Sequence, residues 1–371
     1  MSRFEQGILI AGIAGLVCCA AGAWLDAKAM LGAWLAAAVF MLGLPLGALT
    51  ILMVHGLTGG SWGRAVREPL RAMTATLPLA LIFFVPVLTR LGLVFPWAGA
   101  DPATLPETVR EKLAYLNVEF FLLRFVGCIA IWLVLIWIAL GSTAGRDHQM
   151  GRNGKRYGVG LILHGLAVSV FSTDWMLSLE PEFTSTVFAL YEAAAQVVAA
   201  FALAIIVLAA RRAVDVMPGA KEDVALSEDL ANMLLGFLLT WVYLAFMQWL
   251  VIWGGDLPDE IHWYVVRGHN GWQYVLWLLI GLNVLAFAGL LSRQLKRAHA
   301  GLLGLASATL AGHFADVFWR LRPPLLAHGP ISLWHDVVAW VGMGGLWLAL
   351  FIFLYRRPDR MSLWKREAAH G

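Results

Sequence analysis

The sequence predicts an all-α integral membrane protein with about ten transmembrane helices, and three observations carry that reading. Apolar runs of about twenty residues recur along all 371 residues, each long enough at ~1.5 Å per residue to cross ~30 Å of hydrocarbon. Hydrophobic residues make up 60% of the chain and charged residues only 14%, and no interval between runs is long enough for a soluble core. Lys and Arg cluster in alternate connections, as they do when cationic loops stay on the cytoplasmic side.

The expected spans are about 7–25, 31–55, 70–94, 118–140, 158–179, 186–210, 229–253, 271–291, 302–321 and 332–355, forming one integral membrane domain over residues 1–371. With ten spans, one side collects both termini and the loops near residues 60, 150, 215 and 297. That side holds 19 of the 27 basic residues. Both termini are therefore expected in the cytoplasm, and the opposite loops carry Glu180, Glu182, Asp256, Asp259 and Glu260.

Span one reads as a retained helix rather than a cleaved signal, because Glu5 weakens a basic leader and its loss would reverse the charge parity. The three cysteines, Cys18, Cys19 and Cys128, all lie in apolar runs and make no haem-attachment, iron–sulfur or zinc spacing. After span two, His55 to Arg64 is too rich in glycine to be helical, and is read as a tight turn. A phosphate cradle would need Lys-Ser or Lys-Thr after the glycines. Pro78 and Pro86 are expected to bend span three, and Arg90 to snorkel outward. Glu119 and Arg124 open span four near its boundary, as interfacial anchors or as partners of a neighbouring helix.

Spans five and six hold the main functional lead. Asp174 ends one helix, Pro181 stops it, and Glu192 with Gln196 shares one face of the next. A carboxylate at hydrocarbon depth costs at least ~2.5 kcal/mol and marks an ion path or ligand site. Asp174 and Glu192 sit at similar depth on antiparallel helices, so they are expected to face the bundle interior and line an outward-opening polar path. The competing reading has Asp174 bonded only to backbone or hydroxyls and Glu192 paired with a base such as Arg124.

Span seven carries Asn232, Tyr243 and Gln248, then an acidic, aromatic loop. Trp175, Trp249, Trp253, Trp263, Trp272, Trp319 and Trp334 are expected in an outer interfacial belt. On span nine, His313, Asp316 and Arg320 share a face, so a carboxylate lies within reach of His313 and a proton relay is open to it. His335 and Asp336 begin span ten. A b-type haem would need His164 opposite His313, and a di-metal site would need Glu-x-x-His repeated on paired helices, which this sequence lacks. The basic tail, 356–371, reads as a cytoplasmic anchor suited to anionic lipid rather than nucleic acid.

Three segments, in order, resemble a known family: His55-x-x-Thr58-Gly59-Gly60-x-Trp62; Asp174-Trp175-Met176-x-Ser178-Leu179-Glu180-Pro181 with Ser185-Thr186-x-Phe188-x-Leu190-Tyr191; and Gln248 to Trp253 with Asp256-Leu257-Pro258-Asp259-Glu260-Ile261-x-Trp263-Tyr264. They are similar to the F subunit of alternative complex III, a bacterial quinol:cytochrome c oxidoreductase, and more broadly to polysulfide-reductase-type membrane subunits. The resemblance implies two four-helix bundles plus two extra helices in a bacterial inner membrane, and no redox cofactor in this chain. Haem c and iron–sulfur clusters are expected only in partners: a multihaem cytochrome c, an iron–sulfur protein and a sister membrane subunit. Quinone or quinol contact is possible on this reading. The chain would contribute a proton path or part of a quinone site, with His55, Asp174, Glu180 and Glu192 as the motif positions. Gln196, His313 and Asp316 join the candidates on residue chemistry alone. The alternative from another class is a stand-alone proton-coupled secondary transporter, although the Pro-interrupted third span has no counterpart in the other half.

Overall fold

The protein is described by a computed structural model covering residues 3–141, 150–214, 221–326 and 333–357. It is an all-α polytopic membrane protein: ten helices are long and apolar enough to cross a bilayer, and no strand occurs among the described residues. The spans are α1 (Arg3–Leu25), α2 (Ala27–Thr58), α3 (Ser61–Leu88), α4 (Val118–Gly141), α5 (Met150–Trp175) and α6 (Phe188–Val214). Then come α7 (Lys221–Gly255), the short α8 (Pro258–Arg267), α9 (Trp272–Leu291), α10 (His299–Leu321) and α11 (Leu333–Arg356). At ten residues α8 is too short to cross.

Helices α2, α3, α4 and α5 close one ring, and α6, α7, α9 and α10 close a second. The antiparallel pair α1 and α11 lies outside them, against α2 and α3. The two rings meet along α2 and α6, and the sequence of α2 explains why. Its middle, Ala33 to Ala48, is rich in Ala and Gly and is buried almost throughout. Small side chains let helix backbones approach where the bilayer supplies no hydrophobic drive for association. At Gly47 the contact is so close that a Cβ would strike the Gln196 carbonyl.

Three local expectations are corrected. Residues 55–64 are not a loop: α2 runs to Thr58 and α3 starts at Ser61, because Gly59 (φ 70°) and Gly60 (φ 109°) turn the chain by themselves. Helix α3 is broken rather than bent, into Ser61–Ala75, Leu77–Ile82 and Val85–Leu88, ahead of Pro78 and Pro86. The tryptophan belt also divides. Trp249, Trp253 and Trp334 are exposed, but Trp175, Trp263, Trp272 and Trp319 are buried, because they pack on other rings. Trp175, for example, is surrounded by Phe84, Phe95, Phe121, Phe125 and Phe171. Residues 358–371, most of the basic tail, lie outside the described residues.

Helix α1 is held by very little side chain. Its buried positions are Glu5, Gly12, Gly15, Cys19 and Gly22, which recur at heptad spacing. A Cβ at Gly15 would lie 2.5 Å from the Gly342 nitrogen, and one at Gly12 2.8 Å from the Leu346 nitrogen. Backbone therefore meets backbone. At the end of this seam Arg356 donates to Glu5. Gly15→Leu should push α1 off α11 and lower stability by roughly 1–3 kcal/mol. Thermal unfolding in detergent, with protease sensitivity of α1, checks this; an unchanged midpoint would mean the close approach is not required.

Candidate functional site

At the end of α5, Asp174 meets Arg124 of α4. The guanidinium donates from Nε to Oδ2 (2.8 Å) and from Nη2 to Oδ1 (2.9 Å), while Nη1 donates to the Tyr115 carbonyl (2.9 Å). It also stacks 3.7 Å from the centre of the Tyr115 ring. Burial, reinforced by the Asp174 carboxylate, pushes the Tyr115 phenol up to about 12. One base thus meets one acid in two parallel bonds, which fixes geometry as well as charge. Glu119 is exposed and takes no part.

The hairpin between α5 and α6 is held by a second arginine. Arg267, at the end of α8, donates to both Glu180 oxygens and to the carbonyls of Trp263 (2.8 Å) and Arg320 (2.7 Å). Its guanidinium lies 3.7 Å over the Trp263 ring. The Ser-Leu-Glu-Pro turn is thereby tied to the loop segment that begins at Asp256. The two motif segments also meet directly, Ser185 Oγ donating to Gln248 Oε1 (3.2 Å) and Thr184 Oγ1 to Glu260 Oε1 (3.1 Å).

The third cluster lies in the second ring, where α6 faces α10, and it is built differently. Arg320 donates from Nη1 to Glu192 Oε2 (2.6 Å) and from Nε to Asp316 Oδ2 (3.0 Å), with Nη2 2.8 Å from that oxygen. Gln196 Nε2 donates to Glu192 Oε1 (3.0 Å), and the Tyr191 hydroxyl donates to Asp316 Oδ1 (2.6 Å). All five residues are buried. Their helical spacing does the placing: Glu192 to Gln196 and Asp316 to Arg320 are each one turn apart on one face. Two carboxylates therefore share one guanidinium. With both ionised the cluster carries a net negative charge, and one added proton makes it neutral.

His313 stands beside this cluster without joining it. His313 is 1% exposed, its ring packs edge-on to Trp241 (4.6 Å between centroids), and neither ring nitrogen has a hydrogen-bond partner among the described residues. The Asp316 carboxylate that the sequence puts within reach is instead taken by Tyr191 and Arg320. His313, Glu192 and Gln196 line a cavity of about 10 Å³ together with Phe40 and Gly43 of α2. That is near the smallest volume that holds one water.

Further along α2, Thr50 and His164 of α5 form a second polar station, with 2.8 Å between Oγ1 and Nε2. Thr50 is seven residues beyond Gly43, hence ~10 Å further and on the same face. His55 lies some 140° round the helix from Thr50. Its Nε2 is 3.1 Å from the Gly60 carbonyl, its ring packs on Trp62, and a Cβ at Gly63 would collide with it. It locks the turn between α2 and α3.

Of the sequence candidates, Glu192, Gln196, His313 and Asp316 are brought together, while Asp174 and His55 sit elsewhere with their own partners. Asp174 and Glu192 share no partner and belong to different rings. Arg124 pairs with Asp174, not Glu192. His164 and His313 have separate neighbours, and no group of three or more His, Cys, Asp or Glu is placed to hold a metal among the described residues. Sequence reasoning missed Tyr191 and Trp241 as neighbours of the site, and did not identify Arg320 as its centre. The available signal was an Arg one turn after Asp316 within an apolar span. No protein-family model matches the chain, and no curated protein matches it.

Removing one partner of a buried ion pair typically costs ~3–5 kcal/mol, because the other charge is left uncompensated. Arg320→Leu should lose about that much stability. Combining it with Glu192→Gln and Asp316→Asn should restore most of it. Thermal unfolding of the purified variants tests this, and a triple variant no better than Arg320→Leu alone would show that charge is not what Arg320 supplies.

Proposed function

We propose that this chain is a cofactor-free integral membrane subunit of a bacterial quinol:cytochrome c oxidoreductase of the alternative complex III type, contributing a proton path. Its place would be the bacterial cytoplasmic membrane, both termini inside. A multihaem cytochrome c, an iron–sulfur protein and a sister membrane subunit would carry the electrons, and quinone would bind at least partly outside this chain. The three ordered motifs support the class. The observation that carries the role is the buried pairing of Glu192 and Asp316 with one base among the described residues, Arg320, beside the ring nitrogens of His313, which have no partner among those residues.

In this reading the cluster is a proton-loading site. Loading one proton neutralises it, and losing the proton restores the negative charge, so occupancy is coupled to any nearby charge movement. A water in the cavity would bridge Glu192 and His313. The Thr50–His164 pair, two turns further along α2, is the next station toward the basic face. Asp174 and Glu180, each held by its own arginine, anchor the fold around the path.

Glu192→Gln keeps shape and much of the hydrogen bonding but removes the titratable proton. Proton movement linked to quinol oxidation in membrane vesicles should fall roughly tenfold or more, with assembly unchanged, whereas Asp174→Asn should act on stability. Unchanged proton movement in Glu192→Gln would remove the cluster from the path. Gentle purification tests the class separately: a multihaem cytochrome c and an iron–sulfur protein should accompany the chain, while a lone homo-oligomer would indicate the proton-coupled transporter.

Orientation has its own test. Reporter fusions at Arg152 and Asp256 should report cytoplasm and periplasm respectively, and the reverse would overturn the proposed sidedness.

A further inference from the structure

We propose that the cleft between the end of α7 and α8 binds the ammonium headgroup of an ethanolamine phospholipid. The cleft has a volume of about 430 Å³, within the ~300–1,000 Å³ of small-molecule sites. Trp249 and Trp253 form one wall with nearly parallel rings, 5.7 Å apart and inclined by 12°. Tyr264 stands on the α8 side, Ile252 and Ile261 supply apolar surface, and Asp256 is the one charged residue of the lining.

The chemistry of that lining selects a cation. Aromatic faces attract an ammonium through their ring quadrupole, most strongly when it is desolvated, and a carboxylate adds direct Coulomb attraction. Among the described residues no Lys, Arg or His lines the cleft, and the first turn of α8 adds Asp259 and Glu260. An anionic headgroup would therefore meet repulsion. Asp256 makes no ion pair among the described residues, and its backbone is left-handed (φ 48°). Asp and Asn tolerate this conformation better than other non-glycine residues.

Position selects a lipid. The cleft lies where a membrane span ends and a helix too short to cross begins, the level at which headgroups sit. Below it Phe246, three residues before Trp249 and 5.9 Å from its ring, continues the exposed aromatic face of α7. That face offers an apolar track for the acyl chain. The site is independent of the proton-loading cluster, so either proposal can fail alone.

Native mass spectrometry of the protein, purified with whatever companions it retains and then delipidated, tests the assignment. Phosphatidylethanolamine would be titrated against phosphatidylglycerol and against N-acetylated phosphatidylethanolamine with the same acyl chains, which lacks the ammonium. The expected result is roughly tenfold tighter binding of phosphatidylethanolamine than of either control. Asp256→Asn, which suits the left-handed backbone, and Trp253→Leu should each abolish that preference. Equal binding of all three lipids by the unaltered protein would overturn the proposal, as would a preference that survives both substitutions. Displacement of the bound phospholipid by a short-chain ubiquinone analogue with no discrimination between headgroups would likewise overturn it.

Discussion

A carboxylate placed inside a membrane protein needs a cation, and among the described residues five carboxylates, each less than a fifth exposed, are met by an arginine from another element. Arg124 and Asp174 join α4 to α5, Arg320 and Glu192 join α10 to α6, and Arg322 and Asp336 join α10 to α11. Arg267 and Glu180 join α8 to the α5–α6 hairpin, and Arg356 and Glu5 join α11 to α1. Within a bilayer, lipid tails are as apolar as leucine, so hydrophobicity cannot choose one helix neighbour over another. Directional charge pairs can. Arginine suits the task because its planar fork stays protonated and binds a carboxylate through two bonds at once.

Four of these contacts pair one acid with one base, and they read as fasteners. The cluster on α6 and α10 departs from that stoichiometry, since Asp316 joins Glu192 on the same guanidinium. Two groups able to exchange a proton stand at the cluster, the Tyr191 hydroxyl bonded to Asp316 and the His313 ring, which has no partner among the described residues, while the Gln196 amide holds Glu192 in place. The fold makes this possible by bringing α2 close. Gly43 leaves space beside Gln196, and Gly47 brings the two backbones into contact. Larger side chains at either position would close the cavity or separate the rings.

The acidic, aromatic face follows a related rule with different materials. Arg267 is buried between Glu180, two carbonyls and the Trp263 ring, so the hairpin and α8 form one cover over the second ring. Trp319 adds a bond to the Arg267 carbonyl (3.2 Å). Tryptophans turned inward thus satisfy and shield a buried cation, while Trp249 and Trp253 remain outward beside Asp256. Where a tryptophan goes depends on whether an arginine or a ring is waiting inside.

The chain by itself determined its class, its number of spans and the acidic and basic character of its two faces. Those follow from run length and charge placement, which are properties of sequence order alone. Turn chemistry was only partly legible: Gly59 and Gly60 were visible as turn formers, but not that they sufficed and left both flanks helical. The i, i+4 relations of Glu192 with Gln196 and of Asp316 with Arg320 were legible too, because one helix fixes both members. The tertiary structure alone decided which arginine meets which acid. Arg124 and Arg320 are equivalent bases in the sequence, and nothing local distinguishes Asp174 from Glu192 as their partners. Small-residue packing of α2 against α6 sets the neighbours, and it separates Asp174 from Glu192 and leaves two acids for Arg320.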